Sequence, residues 1–487
     1  MAGFRVGAIP LAGRLRPEAP GVVQPPFNRR WQGRRMPSRC RPRRPDARLM
    51  LLAWLLLATA CATSPYDRAW VSSELAARAA PLGPGADGNP SLPPGLTDAA
   101  TLDEGTAVAV ALWNSAALQA DMAQLGVSRA DLAEAGALPN PTFSLLLPVG
   151  PRTIESSLLL PLFALWQRPA RVAAAKAQVE QVARGLVQNG LDVARDVRVA
   201  HADWVLAEGR RGALEELAGL WGRTLELAEA RLAAGDASRV EVDALRAEKL
   251  LAEDAARRAR TEVLLARERL RLLMGVVQSP LFAQAVPKES PRESRTLRPL
   301  PELLELAQAA RPDVLATELG IQMAGSRLGW EKARIVNLLA RLDVKPSTSA
   351  NGSPRALWVP GAQLDVPIFN WNPGGVGRAE AELMRASARY VLLRQQVANE
   401  VLVARERVLQ ASSSLAAFQA DILPALTAAS DGARKSFDAG DAPYVLVLDA
   451  LRRLADARLR TLELEADLRR ALAQLDRGLG KQGVAHE

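Results

Sequence analysis

The chain has 487 residues, with 62 Lys and Arg against 53 Asp and Glu and a formal net charge of +9. Twelve arginines fall in residues 1–49 beside two acidic residues, so the remainder is close to neutral and does not indicate a nucleic-acid partner. Two cysteines and two histidines exclude a disulfide scaffold and a cysteine-built metal site, and leave little for histidine catalysis.

The first predicted element is an export signal. Residues 49–60 form an apolar run of twelve residues, which is too short for a hydrocarbon core of about 30 Å that needs about 20 helical residues. An arginine-rich segment precedes the run and small residues end it, which is typical of a secretory signal peptide. We expect residues 1–60 to be a leader. Met36 and Met50 are alternative starts, and Met36, which would leave residues 1–35 outside the protein, gives a leader of ordinary length.

Cys61 directly follows this leader and is the predicted site of lipidation. Residues 57–61 resemble a bacterial lipobox, in which the cysteine thiol is acylated and becomes the new amino terminus. The resemblance also implies sorting to the outer membrane, because Ala62 is not an aspartate. A plain signal peptide followed by a chance cysteine is the alternative. The covalent lipid on Cys61, such as palmitate, is the only bound group that we expect.

Beyond Cys61 the sequence predicts a tether and then two copies of one unit. Residues 61–100 are rich in Pro, Gly and Ser, which predicts a mobile lipidated tether and surface coil. Three landmarks then recur in the same order about 200 residues apart, which indicates a duplicated domain. The landmark pairs are 111–118 with 308–315, 160–163 with 366–369, and 234–237 with 439–442. The predicted repeats are 101–290 and 291–480, followed by a tail, 481–487.

Each repeat begins with a predicted helix, at about 103–136 and 301–336, and ends with long helices. Residues 170–232 are strong helix formers without proline, which predicts a helix on the order of 95 Å long. The helix breaks at Gly235 and returns over 240–274. The second repeat has a helix over 379–438 with a kink at Pro424, a break at Gly440 and a return over 444–479. Asp236 and Asp441 are predicted to cap the returning helices.

Four short strands are predicted between these helices. They are 142–147 and 154–160 around a turn at 148–152, and 341–345 and 362–366 around a loop at 346–360. Within 341–345 the apolar Leu342 and Val344 alternate with charged residues. One apolar and one polar face is what a tilted transmembrane strand requires. Two small soluble hairpins are the alternative.

The lipobox, the duplicated unit and the glycine-centred break followed by residues 439–451 together resemble the TolC-like outer-membrane efflux proteins. The resemblance covers about residues 100–480. It implies a mainly α fold with a small β part, made of long coiled-coil-like helices and four short strands. Three such chains would form a 12-stranded β-barrel joined to an α-helical barrel.

The resemblance also implies a function and partners. The protein would be a homotrimeric, lipid-anchored channel of the cell outer membrane, with its helical part in the periplasm. It would act as a passive duct, not an enzyme, with a periplasmic adaptor (membrane fusion) protein and an inner-membrane pump of the resistance-nodulation-division type. A periplasmic lipoprotein scaffold without a channel is the alternative. No metal site or nucleic-acid partner is expected, and the cargo stays open among drugs, metal ions, lipids and proteins.

In this family the helix breaks mark a periplasmic gate, where acidic side chains narrow the pore. Asp449 matches the second acidic position of the family motif, whereas Leu446 stands at the first, so the pattern does not predict a double acidic ring. Glu241 and Asp243 are the corresponding carboxylates of the first repeat. Solvated carboxylates at helix ends are the alternative interpretation. Gly235 and Gly440 are the predicted helix-break glycines.

Overall fold

The computed structural model describes residues 62–83, 89–98, 100–147, 154–235, 237–289, 297–348, 354–439 and 441–481. The helices are α1 Arg68–Arg78, α2 Glu104–Asn114, α3 Ala116–Gly136, α4 Phe163–Ala233, α5 Arg239–Leu273, α6 Leu300–Ala310, α7 Pro312–Ala333, α8 Pro373–Ala417, α9 Leu423–Asp438 and α10 Tyr444–Leu479. The strands are β1 Thr101–Leu102, β2 Thr142–Leu146, β3 Glu155–Pro161, β4 Val286–Pro287, β5 Asn337–Thr348 and β6 Pro354–Asp365.

Part of the predicted tether is a packed helix. In α1 the side chains of Val71 and Leu75 are fully buried in the core formed with α2, α3 and α4. At the end of α1, the Arg78 guanidinium donates hydrogen bonds to the carbonyl oxygens of Ala310 and Gly480. The prediction of mobile coil through this region was wrong, because the Pro- and Gly-rich flanks conceal an amphipathic helix.

The first helix of each repeat is broken into two. Ser115 separates α2 from α3, and its hydroxyl accepts a hydrogen bond from the Leu118 amide at 3.3 Å. Arg311 separates α6 from α7 in an extended conformation, because the following Pro312 disfavours helical backbone at the residue before it. The structure therefore interrupts each of the single helices predicted at 103–136 and 301–336 at one residue. The prediction of an unbroken helix was wrong there.

The long hairpin of the first repeat follows the prediction closely. Helix α4 has 71 residues, about 107 Å at the usual rise, and Gly235 follows it at a φ of +85° that suits glycine. Ser238 caps α5, since its hydroxyl accepts a hydrogen bond from the Glu241 amide at 3.2 Å. Asp236, predicted for this role, lies outside the described residues.

In the second repeat, the predicted kink is a π-helical turn. Five residues, Phe418–Ile422, form this turn between α8 and α9, immediately before Pro424. Proline cannot donate a backbone hydrogen bond and its ring crowds the carbonyl group four residues earlier, so the wider turn accommodates it. Helix α10 begins after Pro443 without a side-chain cap, so the capping role predicted for Asp441 was wrong.

The β part is one antiparallel sheet with the order β2-β3-β5-β6, besides a parallel pair of β1 with β4 that the sequence did not predict. Strands β5 and β6 have twelve residues each, so most of the predicted loop 346–360 is strand. Pro346 lies beyond the part of β5 that pairs with β3, and Pro354 and Pro360 lie on the edge strand β6. Each of these positions tolerates proline, because a strand without a neighbour on one side does not need every backbone N–H as a donor. Residues 349–353 and the predicted turn 148–152 lie outside the described residues.

The register of the sheet places every charged side chain on one face, which also carries Leu159, Leu339 and Val359. Opposite residues share a face, and neighbours along a strand alternate between faces. All charged residues of the four strands therefore share one face: Glu155, Arg341, Asp343, Lys345, Arg355 and Asp365. The other face carries Phe143, Leu145, Leu158, Leu342, Val344, Trp358 and Leu364. On the charged face, Arg341 pairs with Asp343 at 2.7 Å.

Helix packing joins the two repeats. Helix α4 contacts α5, α7 and α10, and α10 in turn contacts α8. One hydrophobic core lies among α1, α2, α3 and α4, and a second lies among α6, α8 and α10. In the described residues, no helix combines the length and the apolar character that a membrane span needs.

Candidate gate at the helix hairpin turns

The turns between α4 and α5 and between α9 and α10 lie side by side. Tyr444, the first residue of α10, joins them. Its side chain packs against the core of the first hairpin, which includes Trp221 and Leu245, and against the core of the second, which includes Ala433 and Leu451. The folded chain thus brings together the two turns predicted to form a gate.

Phe437 packs beside Tyr444, and a cationic side chain of α4 covers Phe437. The ring of Phe437 lies 5.0 Å from that of Tyr444, and the Arg231 guanidinium lies 4.9 Å from the Phe437 centroid. The Tyr444 hydroxyl is buried without a hydrogen-bond partner among the described residues. Burial, and then the nearby Glu241 carboxylate, raise the pKa of Tyr444 to about 12, so the phenol stays neutral. Three chain segments therefore meet at one tyrosine.

The three predicted gate carboxylates occupy different environments. Glu241 lies in the first turn of α5, close enough to Tyr444 to raise the pKa of the phenol. Asp243 is exposed, with Arg246 at 3.9 Å. Asp449 is half exposed and forms an ion pair at 2.8 Å with Arg453, one turn along α10. The structure thus brings Glu241 to the contact between the hairpins, and a pore role for the three carboxylates stays a prediction.

Apolar side chains are also exposed at the turns. Val240 and Val445 are largely exposed and Leu446 is half exposed. Leu446 stands at the first acidic position of the family motif, so this turn carries one carboxylate fewer than the motif would give it.

The sequence reasoning missed Arg231, Phe437 and Tyr444. A signal was available, because the chain has only three tyrosines and eight phenylalanines and two of these aromatic residues flank the Gly440 break. Gly440 itself, like Cys61, lies outside the described residues. Arg231 offered no signal, since nothing in the sequence pairs it with a ring about 200 positions away.

The two hairpins make loose contact above the turns. Exposed ion pairs cross between them, including Arg452 with Glu248 at 2.5 Å and Arg458 with Glu216 at 3.4 Å, and such pairs contribute about 0–1 kcal/mol each. A cleft of about 350 Å³ lies between α4, α9 and α10. The packing that holds the turns together is therefore concentrated around Tyr444.

No metal-binding cluster is found in the part of the chain that the structure describes, where no three His, Cys, Asp or Glu side chains lie close enough together to hold an ion. His201 is buried inside α4 and lies away from the turns. In the described residues, the candidate gate therefore consists of contacts between the helices and of the carboxylates at the turns.

Comparisons with known proteins show what this chain is similar to. Residues 303–481 match the family model described as outer membrane efflux protein. The cobalt-zinc-cadmium resistance protein CzcC of Cupriavidus metallidurans is 27% identical over 379 residues, which cover 77% of this chain and 89% of that protein. This chain therefore resembles the outer membrane efflux proteins, most directly over residues 303–481.

Solved structures of outer-membrane proteins share the fold of this chain. The outer membrane protein VceC of Vibrio cholerae has a TM-score of 0.66 at 19% identity, covering 78% of this chain and 96% of that one. The outer-membrane channel OprN has a TM-score of 0.66 at 17% identity, covering 87% and 95%. CusC has a TM-score of 0.65 at 18% identity, covering 78% and 93%. The prediction of a mainly helical fold with long helices and a small part of four β-strands is confirmed, although two of those strands are longer than predicted.

Proposed function

We propose that this efflux protein is the outer-membrane duct of a tripartite export system and works as a homotrimer. The sheet supports this proposal most directly, because one face is apolar, the other carries all the charges, and β2 and β6 have free edges. Open sheet edges are not tolerated in lipid. Three copies supply twelve strands, an even number that can close into a barrel with the charges facing water.

The long helices support the same assembly. Contacts of α4 with α5 and α10, and of α10 with α8, place α5 and α8 at the two outer sides of this group. Both outer helices carry exposed apolar side chains. They are Leu250, Leu251, Leu264 and Leu265 on α5, and Met384, Val391, Leu392 and Leu402 on α8. Copies joined along these sides would cover the apolar residues and continue the barrel as a helical tube.

The partners follow from the passive nature of such a duct. No energy-coupling site was found in the sequence, so an inner-membrane pump of the resistance-nodulation-division type would drive transport and a periplasmic adaptor protein would join it to the helical end. Among possible cargoes we favour divalent metal cations, because the CzcC relative is named for cobalt, zinc and cadmium resistance.

The amino terminus would anchor the duct. Ala62 packs beside Gly136 at the end of α3, six residues before β2 begins. Ala62, the residue after the predicted lipidation site, therefore lies beside the helix end that leads into β2. We propose that acyl groups on Cys61 insert into the inner face of the outer membrane, and that these lipids supplement the barrel as an anchor.

Single-channel recording in planar bilayers tests the proposal. We expect stepwise conductance from the detergent-extracted protein, and weaker block by divalent cations in Asp449→Asn, because that substitution removes a charge from each copy at the turn. Glu216→Gln is the matched control, since Glu216 is an exposed, ion-paired carboxylate on α4 far from the turns, and its conductance should equal that of the native protein.

Two outcomes separate the parts of this proposal. An absence of conductance from folded protein would contradict the duct and favour the lipoprotein scaffold. In cells, deleting the gene should lower the concentration of zinc or cobalt that arrests growth. Unchanged growth together with normal conductance would retain the duct and eliminate these metal cations as the cargo.

A further inference from the structure

The charges on the sheet are distributed unevenly along the strands. We call the side on which the strands adjoin α3, α4, α7 and α8 the inner end, and the opposite side the outer end. Asp365 lies opposite Asn337 at the inner end, and Arg355 lies opposite Ser347 at the outer end. Ten residues along β6 separate Asp365 from Arg355, which corresponds to about 33 Å of strand. An acidic and a basic residue therefore lie at opposite ends of the charged face.

The other charges of this face neutralise one another in pairs. Arg341 forms an ion pair with Asp343 at 2.7 Å, and Lys345 forms one with Glu155 at 3.5 Å. In the register of the strands, both pairs lie between the two ends. The middle of the charged face therefore carries no net charge.

Arg355 leaves an uncompensated positive charge at the outer end. Its side chain is exposed and forms no ion pair with another residue that the structure describes. The segments that join the strands at this end are 147–154 and 346–354, and their sequences contain one arginine and no acidic residue. The chain thus offers no carboxylate near Arg355 beyond Glu155, which Lys345 already neutralises.

Asp365 is isolated in the same way at the inner end. It is exposed, and no ion-pair partner for it exists among the described residues. Residues 366–372, which lead from β6 into α8, contain no charged residue. Arg334, which precedes β5, is paired with Glu331 at 3.2 Å and packs over the Trp330 ring. The inner end therefore keeps one negative charge for each copy of the chain.

We infer that Arg355 and Asp365 give the duct two belts of opposite sign, an arginine belt at the outer mouth of the barrel and an aspartate belt at its inner mouth. This inference rests on the proposed trimeric duct, in which the charged face lines the water-filled lumen, and it adds a selectivity to that lumen. Three copies supply three arginines to one belt and three aspartates to the other. A ring of like charges in a pore concentrates ions of the opposite sign and excludes ions of the same sign.

The arginine belt acts on solutes of the medium. A duct that is closed at its periplasmic turns stays open to the outside, so the barrel equilibrates with external solutes. The arginine belt lowers the concentration of cations in the outer part of the lumen, and it excludes divalent cations more strongly because the electrostatic energy scales with charge. Small cations are therefore the class of solute that the outer mouth rejects. Exported cations reach the aspartate belt first, which concentrates them at the inner mouth.

Charged thiol reagents on single-cysteine variants test both belts. Leu357→Cys lies two residues from Arg355, and Gln363→Cys lies two residues from Asp365, each on the charged face. The probes are the anionic sulfonatoethyl and the cationic trimethylammonioethyl methanethiosulfonates, applied to the full-length protein in isolated outer membranes. The native chain is measured in parallel, because Cys61 is the one cysteine of the predicted mature sequence.

The measured quantity is the ratio of the anionic to the cationic modification rate. We expect this ratio to be high at Leu357→Cys and low at Gln363→Cys. In about 0.1 M salt, adding Arg355→Gln should lower the first ratio on the order of fourfold, and Arg355→Glu should lower it further. Adding Asp365→Asn should raise the second ratio. In about 1 M salt, where the Debye length is about 3 Å, these differences should largely disappear.

A matched control removes two charges of the same face without changing its net charge. Arg341→Gln with Asp343→Asn deletes one of the ion pairs, so both ratios should equal those of the chains without this double change. A shift in this control as large as the shift in Arg355→Gln would overturn the assignment to the unpaired charges.

The outcomes separate this inference from the proposed function. Ratios that Arg355→Gln and Asp365→Asn leave unchanged, in protein whose introduced cysteines react, would overturn the two belts while the duct stands. If Trp358→Cys, on the apolar face, reacts with both reagents and Leu357→Cys with neither, the charged face does not line the lumen. The proposed duct would then fall together with this inference.

Discussion

His201 makes the stability of this protein sensitive to mild acid. Its side chain is 3% exposed, and its Nε2 lies 3.0 Å from the Leu102 carbonyl oxygen in β1. Burial lowers the pKa of His201 below its ordinary 6.5, although the Leu102 bond and the Glu104 carboxylate act in the opposite direction. The folded protein therefore holds the ring neutral, whereas the unfolded chain takes up a proton below about pH 6.5.

The sign of the pH dependence follows. The contribution of a neutral His201 is fully present above the unfolded pKa and is lost as the pH falls from about 6.5 towards the lowered folded pKa. His201→Gln keeps an amide donor near Leu102 and removes the titration. We expect the melting temperature in detergent to fall between about pH 7.5 and pH 5.5 more steeply in the native protein than in this variant. Parallel curves would contradict the assignment.

Arg311 shows what sequence reasoning cannot find at the scale of one residue. Its guanidinium is 1% exposed and pairs with Asp313 at 2.5 Å and with Glu400 at 2.7 Å. Arg477 shares Glu400 and reaches Asp192, so the cluster ties α7, α8, α10 and α4 together. In the sequence, an arginine before a proline looks like an ordinary exposed helix end, because the partners that bury it lie far along the chain.

The π-helical turn before Pro424 sets the rotation of α9. An α-helical turn there would rotate α9 by about 100° for each residue gained or lost. That rotation would move Phe437 away from Tyr444 and Arg231, the contact that joins the two hairpins. We therefore expect a feature five residues long to control packing about four turns away.

This dependence predicts the behaviour of Pro424→Ala. Alanine restores the backbone donor and favours an α-helix by about 3 kcal/mol over proline, so the π-helical turn should revert and the Tyr444 contact should be lost. We expect a larger unitary conductance than in the native protein. Pro443→Ala is the control, because it removes a proline from the turn itself and leaves the rotation of α9 unchanged. Equal conductance in both variants and the native protein would disprove the link.

At the level of whole elements, composition predicted the long helices and their returns, because strong helix formers without proline leave few alternatives over 60 residues. The strands were predicted too short, because their prolines were taken as a sign of a loop. Proline is tolerated there, since β5 and β6 lack a neighbouring strand on one side at those positions. Helix α1 was missed because Val71 and Leu75 are covered by residues distant in sequence. Elements fixed by local sequence were predicted, and those fixed by distant contacts were not.

For the whole molecule, the lipid on Cys61 is the prediction that matters most. The native protein should incorporate a labelled fatty acid and fractionate with outer membranes, whereas Cys61→Ser should lose the label. Because a barrel would hold the chain in the membrane by itself, we expect the variant to stay membrane-bound and conductive. Release of Cys61→Ser into the periplasm would favour the scaffold. Cys40→Ser, upstream of the expected cleavage site, should leave the labelling unchanged.

The duplication was visible in the sequence, and with it the family, but the sequence could not show which sides of the unit are free. That information lies in pairs of strands and helices: β3 with β5, and α4 with α7. The candidate gate was located by the glycine breaks, whereas its packing around Tyr444 depends on both repeats folding together.

Arg78 links parts of the chain that lie far apart in the sequence. It lies at the end of α1 and donates hydrogen bonds to the carbonyl oxygens of Ala310 and Gly480, so the first described helix, the break between α6 and α7 and the end of α10 meet at one side chain. This contact lies at the end of α10 that is remote from the hairpin turn. A pull on the lipid predicted at Cys61 would reach α1 within seven residues, so we expect this contact to act as a mechanical clamp that bears the load first.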